Sequence, residues 1–439
     1  MTHPIPPLSE SRSLRAVVFF ALYAVEGIPS GFALTAVSNY LAAEGVGSEV
    51  IGAFAARIGL PWTVQFLWGP IIDRHQGSPM GRRRPWVVGS QFAAFVASLG
   101  VVAVRDPRNQ LGMLSLAFLI HGIFASIQDA SVDAMAIGMI PEEERGRVNA
   151  YMRAGLLFGS GAGAAAWAVL IRSAGFTAAA VAQSAVLLAM TVLTCFVRER
   201  PGDLLLPWGR PAADPVAGSA TPDRPVAGRR PFATILAELV RGLLEPRGLR
   251  IFASTLAVYG AMAVFIRAFS YSLVGDLGWS DEDVSVYSGA YGTATGLAVS
   301  LAGAAIADRI GPRRLMIGSM GLIGGFLILF GASARSWANP PVAASGLILW
   351  SAFDPIFSIA CMPVLMSLCR PGVEGSQFTA YMALVNLANA VGTYVSGQLQ
   401  GRFSAGSLGL FAGLAIWAML PSAIGSLRSA GSPREGSWS

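Results

Sequence analysis

Apolar positions along this chain gather into twelve long runs, separated by short stretches of charged residues, glycine and proline. They fall at about 15–40, 49–72, 86–104, 111–139, 150–171 and 175–197, and again at about 250–275, 285–307, 314–333, 341–368, 377–400 and 405–427. A helix of about 20 apolar residues crosses the hydrocarbon core of a bilayer. Backbone polar groups in oil must also be bonded within their own segment, so each run is predicted to be a tilted spanning helix. The pattern is six, a break, and six.

The break, 198–249, opens with Arg198-Glu199-Arg200-Pro201 and is rich in Pro, Ala, Gly and Asp through residue 230. Such a composition buries too little apolar area to fold by itself, which predicts a flexible linker. Within Phe232 to Leu244, Ile235, Leu236, Leu239, Val240, Leu243 and Leu244 recur at helical spacing, with Glu238 and Arg241 on another face. That spacing predicts an amphipathic surface helix. The expected organisation is a bundle over 1–197, a linker over 198–249, and a second bundle with a short tail over 250–439.

Composition sharpens this picture. Of 439 residues, 54% are hydrophobic and 13% charged, and the mean hydropathy of +0.56 excludes a water-soluble globule. The first run is too long for a signal peptide and is followed by Pro29 and Gly31 rather than a small-residue cleavage site, so it is expected to be retained. Cys195, Cys361 and Cys369 have no metal-like spacing, and no P-loop is present.

The net charge of +6 includes 31 arginines and no lysine. With both termini inside, fourteen arginines fall on the short inner loops and tails and nine on the linker, against five on the outer loops. The positive-inside bias therefore places both termini in the cytoplasm.

An internal repeat points independently to two related halves. Pro141-Glu-Glu-Glu-Arg-Gly-Arg-Val-Asn-Ala-Tyr-Met152 aligns without a gap to Pro371-Gly-Val-Glu-Gly-Ser-Gln-Phe-Thr-Ala-Tyr-Met382. Asp73-Arg74 and Asp308-Arg309 recur after the second helix of each half. In the first half the loop runs from Gly69 through Asp73 and Arg74 to Gly81-Arg82-Arg83-Arg84. A carboxylate at a helix end can cap a neighbouring helix, and arginines can bridge to acids on facing elements. This loop is expected to clamp one state of the molecule, the alternative being a plain positive-inside anchor.

Charges inside the apolar runs cost about 2.5–3.5 kcal/mol each at a helix centre and mark candidate functional groups. They are Glu26, Arg57, Asp129, Asp133, Arg153, Arg267 and Asp354. Glu26 and Asp354 fall near mid-membrane and, with Asp129, are the candidates to take up and release a proton. Arg57 and Arg267 could hold an anionic substrate bidentately, with Gln128 and Asn386 as polar lining. The competing reading makes Glu26 with Arg57, and Asp354 with Arg267, structural ion pairs. It also leaves Gln128, Gln377, Asn386 and Asn389 as bonds between helices. Asp133, four residues from Asp129 on one helix face, is expected to bridge to Arg153 or to the Arg82–Arg84 run. His121 reads as a packing residue, and Gly159, Gly161 and Gly163 as a close-packing surface.

The motifs Tyr23-Ala-Val-Glu26-Gly27-Ile-Pro29-x-Gly31, Gly59-Leu-Pro-Trp62, Phe66-Leu-Trp-x-Pro70, Asp73-Arg74 and Gly81-Arg-Arg-Arg84 closely resemble the muropeptide permease (AmpG-like) family of major facilitators. Ser126-x-Gln128-Asp129-x-x-Val132-Asp133-Ala134, Pro141-x-Glu-Glu-Arg145-Gly146, Met366-Ser-Leu-Cys369 and Ser376-Gln-Phe378 continue the match. The resemblance implies an all-α polytopic membrane protein with the major facilitator fold, 12 transmembrane helices in two six-helix bundles and a path between them lined by helices 1, 4, 7 and 10. It implies proton-driven import of a small organic solute across the bacterial inner membrane, with anhydro-muropeptides as the best-known cargo. Siderophore and acetyl-coenzyme A permeases of the same broad group are alternatives.

One departure bears on cargo and coupling: Gln65 stands where these permeases usually carry Lys. The expected protein is a secondary transporter and not an enzyme, a monomer in the lipid bilayer whose partners are its substrate and protons. No cofactor, metal or nucleic acid is expected. An exporter, or an assembly factor built on the same fold, is the competing possibility.

Overall fold

The computed structural model describes residues 6–75, 78–140, 144–206, 246–368 and 374–428. The sequence-predicted amphipathic helix at Phe232 to Leu244 lies outside them. The described residues are overwhelmingly helical and contain no strand.

Helices coincide with the apolar runs to within a few residues. They are α1 (Arg12–Ala43), α2 (Ser48–Leu67), α3 (Arg84–Val102), α4 (Leu111–Met139), α5 (Arg145–Ala174) and α6 (Phe176–Cys195). In the second half follow α7 (Pro246–Gly275), α8 (Asp281–Val286, then a π-helical turn Tyr287–Tyr291, then Gly292–Ile310) and α9 (Pro312–Ala332). The last three are α10 (Pro340–Met366), α11 (Glu374–Gln400) and α12 (Ala405–Arg428). Among the described residues, ten of these helices include a stretch long and apolar enough to cross a bilayer, α8 and α11 being the others. Interior asparagines, glutamines and hydroxyls in α11 lower its hydropathy.

Two compact units emerge. Of the described residues, the first takes those of Met1–Val46, Arg57–Arg230 and Ser280–Thr293, and the second those of Gly47–Ala56, Pro231–Trp279 and Ala294–Ser439. In the first unit the most extensive helix pairing is α1 with α5. Glycines make it possible. A Cβ on Gly27 would sit 2.6 Å from Ser160 N, and one on Gly163 would sit 2.6 Å from Ile28 O, while Gly159 faces the Ala24 backbone. Without a hydrophobic force between helices in lipid, such backbone-to-backbone approach supplies the packing attraction. Gly161 faces the other way, toward Gly289 O and Thr293 Oγ1 of the same unit. There Arg172 pairs with the fully buried Asp281, and Asn39 Nδ2 donates to Ser285 Oγ at 2.9 Å. In the second unit α7 packs on α11 and α12, and α9 on α12, around Phe265, Phe269, Phe330, Trp337 and Trp350.

The first residues of the expected linker are ordered. Residues 198–206 are fastened to the first unit: Leu8 N donates to Arg198 O at 2.8 Å, Ser9 N to Glu199 O at 3.0 Å, and Leu204 N to Pro79 O at 2.9 Å. Glu199, 1% exposed, accepts the backbone N–H groups of Arg82 (3.1 Å), Arg83 (2.7 Å) and Arg84 at the start of α3. Three orphan helix donors and a positive dipole end thus meet one buried carboxylate. The chain enters α3 through Gly81 at φ 115, a backbone shape that favours glycine.

Candidate functional site

Carboxyl groups collect on the facing sides of α1 and α4. One turn apart on α1 stand Tyr23 and Glu26; one turn apart on α4 stand Asp129 and Asp133. The end of α2 completes the group. Pro61 lies inside that helix, and the chain tightens to a 3-10 turn over Gln65–Leu67. Gln65 Nε2 donates to Asp129 Oδ2 at 2.5 Å, and Trp68 Nε1 donates to Ser126 Oγ at 3.0 Å. The Tyr23 hydroxyl donates to Asp133 Oδ1. The Glu26 carboxyl group lies beside that of Asp129 and near the Trp62 side chain. An ionised carboxylate only accepts, so these two acids can bond each other only while the pair holds a proton.

Behind Glu26 the first unit contains a cavity of about 10 Å³, walled by α1, α3, α4 and α6. Its polar lining is Glu26, Gln91, His121, Gln128 and Thr191. Gln91, His121 and Gln128 are 3%, 4% and 4% exposed. Thr191 satisfies itself on Leu187 O at 2.8 Å, and His121 Nδ1 lies 2.9 Å from Ala94 O. Among the described residues, Gln91 Nε2 and Oε1, His121 Nε2 and Gln128 Nε2 find no partner. Buried polar atoms left in that state cost about 1–3 kcal/mol each.

The structure therefore brings Glu26, Asp129 and Asp133 together in one unit, and places Gln128 beside Glu26 on the cavity. It does not pair Glu26 with Arg57: Arg57 is exposed, and Glu26 is engaged by Asp129 and Trp62. That corrects the ion-pair alternative for Glu26. Arg267, Asp354 and Asn386 are half-buried in the second unit, and Arg153 is half-buried on α5. His121 does bond α3, as a packing residue would, but its other ring nitrogen faces the cavity.

The basic loop departs from the expected clamp at Arg84. This residue, 1% exposed, donates to the carbonyls of Cys195, Leu204 (2.7 Å) and Leu205 (2.8 Å), so its guanidinium is spent stapling the start of the linker to the first unit. Arg82 is exposed, Arg83 half-buried and Arg309 exposed. The side chains of Asp73, Arg74, Asp308 and Gln377 lie outside what the structure describes. A Cβ on Gly69 would meet nothing within 4 Å, so packing does not require glycine there.

Tyr23, Trp62, Gln91 and Glu199 were not singled out from the sequence as site residues. Glu199 carried a signal, as an acid directly after the sixth apolar run. Gln91 carried a weaker one, an amide in the middle of the third.

Helices of this length and apolarity, arranged as described, define a polytopic α-helical membrane protein. The model of the Major Facilitator Superfamily matches residues 16–393, and the chain belongs to that superfamily. That superfamily is one of transporters, not of enzymes. An uncharacterized protein of Haemophilus influenzae is 33% identical over 161 residues, which cover 34% of this chain and 37% of that protein. The anhydromuropeptide permease of Escherichia coli K12 is 26% identical over 132 residues, 30% of this chain and 26% of the permease. The match thus spans about a quarter to somewhat over a third of these two relatives. A crystal structure of a D-xylose-proton symporter superposes with a TM-score of 0.68 at 14% identity, covering 94% of this chain and 98% of that one, which is a likeness of fold.

Proposed function

We propose that this facilitator is a proton-coupled importer of an anionic or zwitterionic organic solute such as anhydro-muropeptide, set in a bacterial inner membrane with both termini in the cytoplasm. The observation that carries the reading is the closeness of the Glu26 and Asp129 carboxyl groups on facing helices. Two carboxyl groups in membrane-spanning helices that share one proton can load it from one side and yield it to the other as access alternates. The Tyr23–Asp133 and Gln65–Asp129 bonds hold the two acids of α4 in place. Asp354 in α10 is a second candidate acid. Arg57 and Arg267 carry the anionic groups of the solute, with Asn386 as a polar contact. The resemblance in the first 150 residues and the permease of Escherichia coli support the choice of solute, and the arginine-rich ends support the orientation.

The test is uptake of labelled anhydro-muropeptide into proteoliposomes under an inward proton gradient. The parent should concentrate the solute. Glu26→Gln should lose concentration while keeping counterflow exchange, because a neutral amide preserves the path but carries no exchangeable charge. A Glu26→Gln variant that concentrates solute like the parent would remove the coupling assignment.

A further inference from the structure

We propose that the cavity between α1, α3, α4 and α6 is an internal hydration site whose water joins the carboxyl group of Glu26 to Nε2 of His121, giving the coupling proton a second resting place. This rests on the reading of Glu26 as the coupling acid. No family motif marks His121, and the substrate path does not call for it.

The chemistry of the lining specifies the occupant. Ala94 O is purely an acceptor, so His121 Nδ1, 2.9 Å away, carries the ring proton, and the neutral ring presents a lone pair at Nε2. Gln91 and Gln128 offer amide N–H groups, and Gln91 and Glu26 offer carboxamide and carboxyl oxygens. A molecule that accepts from the Glu26 O–H and one amide and donates to His121 Nε2 and Gln91 Oε1 meets four of these groups at once, and the volume suits about one water, which needs two to four polar partners. The rest of the wall includes Ala94, Ala125 and Leu187, which give an ion no ligands.

The proton step balances. The Glu26 O–H bond breaks toward the water oxygen while a water O–H bond breaks toward Nε2 of His121. The products are the Glu26 carboxylate, an intact water and the His121 imidazolium, whose Nδ1–H stays on Ala94 O. The charged or titratable groups near this step are few. From α1 come Glu26 itself and Tyr23, and from α4 come Asp129, beside Glu26, and Asp133, one turn further on and bonded to Tyr23. The cavity residues of α3 and α6, Gln91 and Thr191, are neutral. The carboxylate thus balances the imidazolium it creates.

The full chain in lipid nanodiscs can be tested by infrared difference spectroscopy between acid and neutral buffer, with no substrate present. The probes are water, ¹⁸O-labelled water and the Glu26 carboxyl band, identified by its loss in Glu26→Gln. The parent should show a narrow water O–H band that moves in labelled water. The band should disappear in Ala125→Leu, which fills the cavity without touching a polar group, and in the smaller Ala125→Val should the first variant fail to fold. The Glu26 band should shift in His121→Phe and return toward the parental position in His121→Gln, which restores an acceptor. Absence of an isotope-sensitive band in the parent, its survival in both Ala125 variants, or a Glu26 band indifferent to His121→Phe would overturn the proposal. Because these readouts need no transport, they stand or fall separately from the uptake result for Glu26→Gln.

Discussion

Gln65 offers the sharpest lever on the carboxyl cluster. Its amide donates to Asp129 at 2.5 Å without bringing a charge, where similar permeases usually place a lysine. In Gln65→Lys an ammonium would stand about 4 Å from Asp129, worth about 4 kcal/mol at an effective dielectric of about 20. The attraction favours the form in which both Glu26 and Asp129 are ionised, and 4 kcal/mol is about a thousandfold against holding their shared proton. The sign is fixed: the variant should need a more acidic outer medium, by up to about three pH units, to reach the same gradient-driven accumulation. Gln65→Leu removes the hydrogen bond but adds no cation, so its pH profile should move far less. The assay is solute accumulation in proteoliposomes over a series of external pH values at constant gradient. Superimposable profiles for the parent and Gln65→Lys, or equal shifts for the Lys and Leu variants, would refute the reasoning.

Three further expectations concern the scaffold. Gly159→Val drives a side chain into the Ala24 backbone and should lower stability by about 1–3 kcal/mol, read as a drop in thermal midpoint in nanodiscs; Gly69→Ala, with open space around it, should not. Glu199→Ala strips a buried carboxylate from three helix N–H groups and should cost about 2–3 kcal/mol; proteolysis of the segment after Cys195 should quicken, and unchanged cleavage would argue against the cap. Burial lifts the Asp203 carboxyl above the ordinary carboxylate range, against the opposing hydrogen bond from Arg200 N–H. Ionising it therefore costs stability as pH rises toward and through its folded value, and the parent should lose ground to Asp203→Asn in thermal melts as pH rises above about 4.

Much of the architecture could be read from the chain because oil imposes a single rule, that backbone groups be paired within a helix. The apolar runs therefore located the spanning helices closely, including the long α4 and α5. Charged residues in those runs were equally visible, since each is costly enough to need a reason. What escaped was partnership. Glu26 and Arg57 match in depth along the sequence, but depth says nothing about which face of a helix a side chain occupies, and the structure turns Glu26 to Asp129 and Trp62 instead. Arg84 looked like a switch because arginine runs are ambiguous by nature; only the fold shows four carbonyls converging on it. Glu199 and Gln91 lay hidden for the same reason, as their roles come from neighbours more than 90 positions away or from a cavity no local pattern records.

The measurement that bears most directly on proton coupling needs no imposed gradient. Anhydro-muropeptide is added outside proteoliposomes in weakly buffered medium while an external pH indicator is followed. Downhill entry should draw protons in and raise the external pH in the parent, with the signal abolished in Glu26→Gln although solute still equilibrates. Solute entry in the parent with no change in external pH would contradict the proposal that the Glu26–Asp129 proton travels with the cargo.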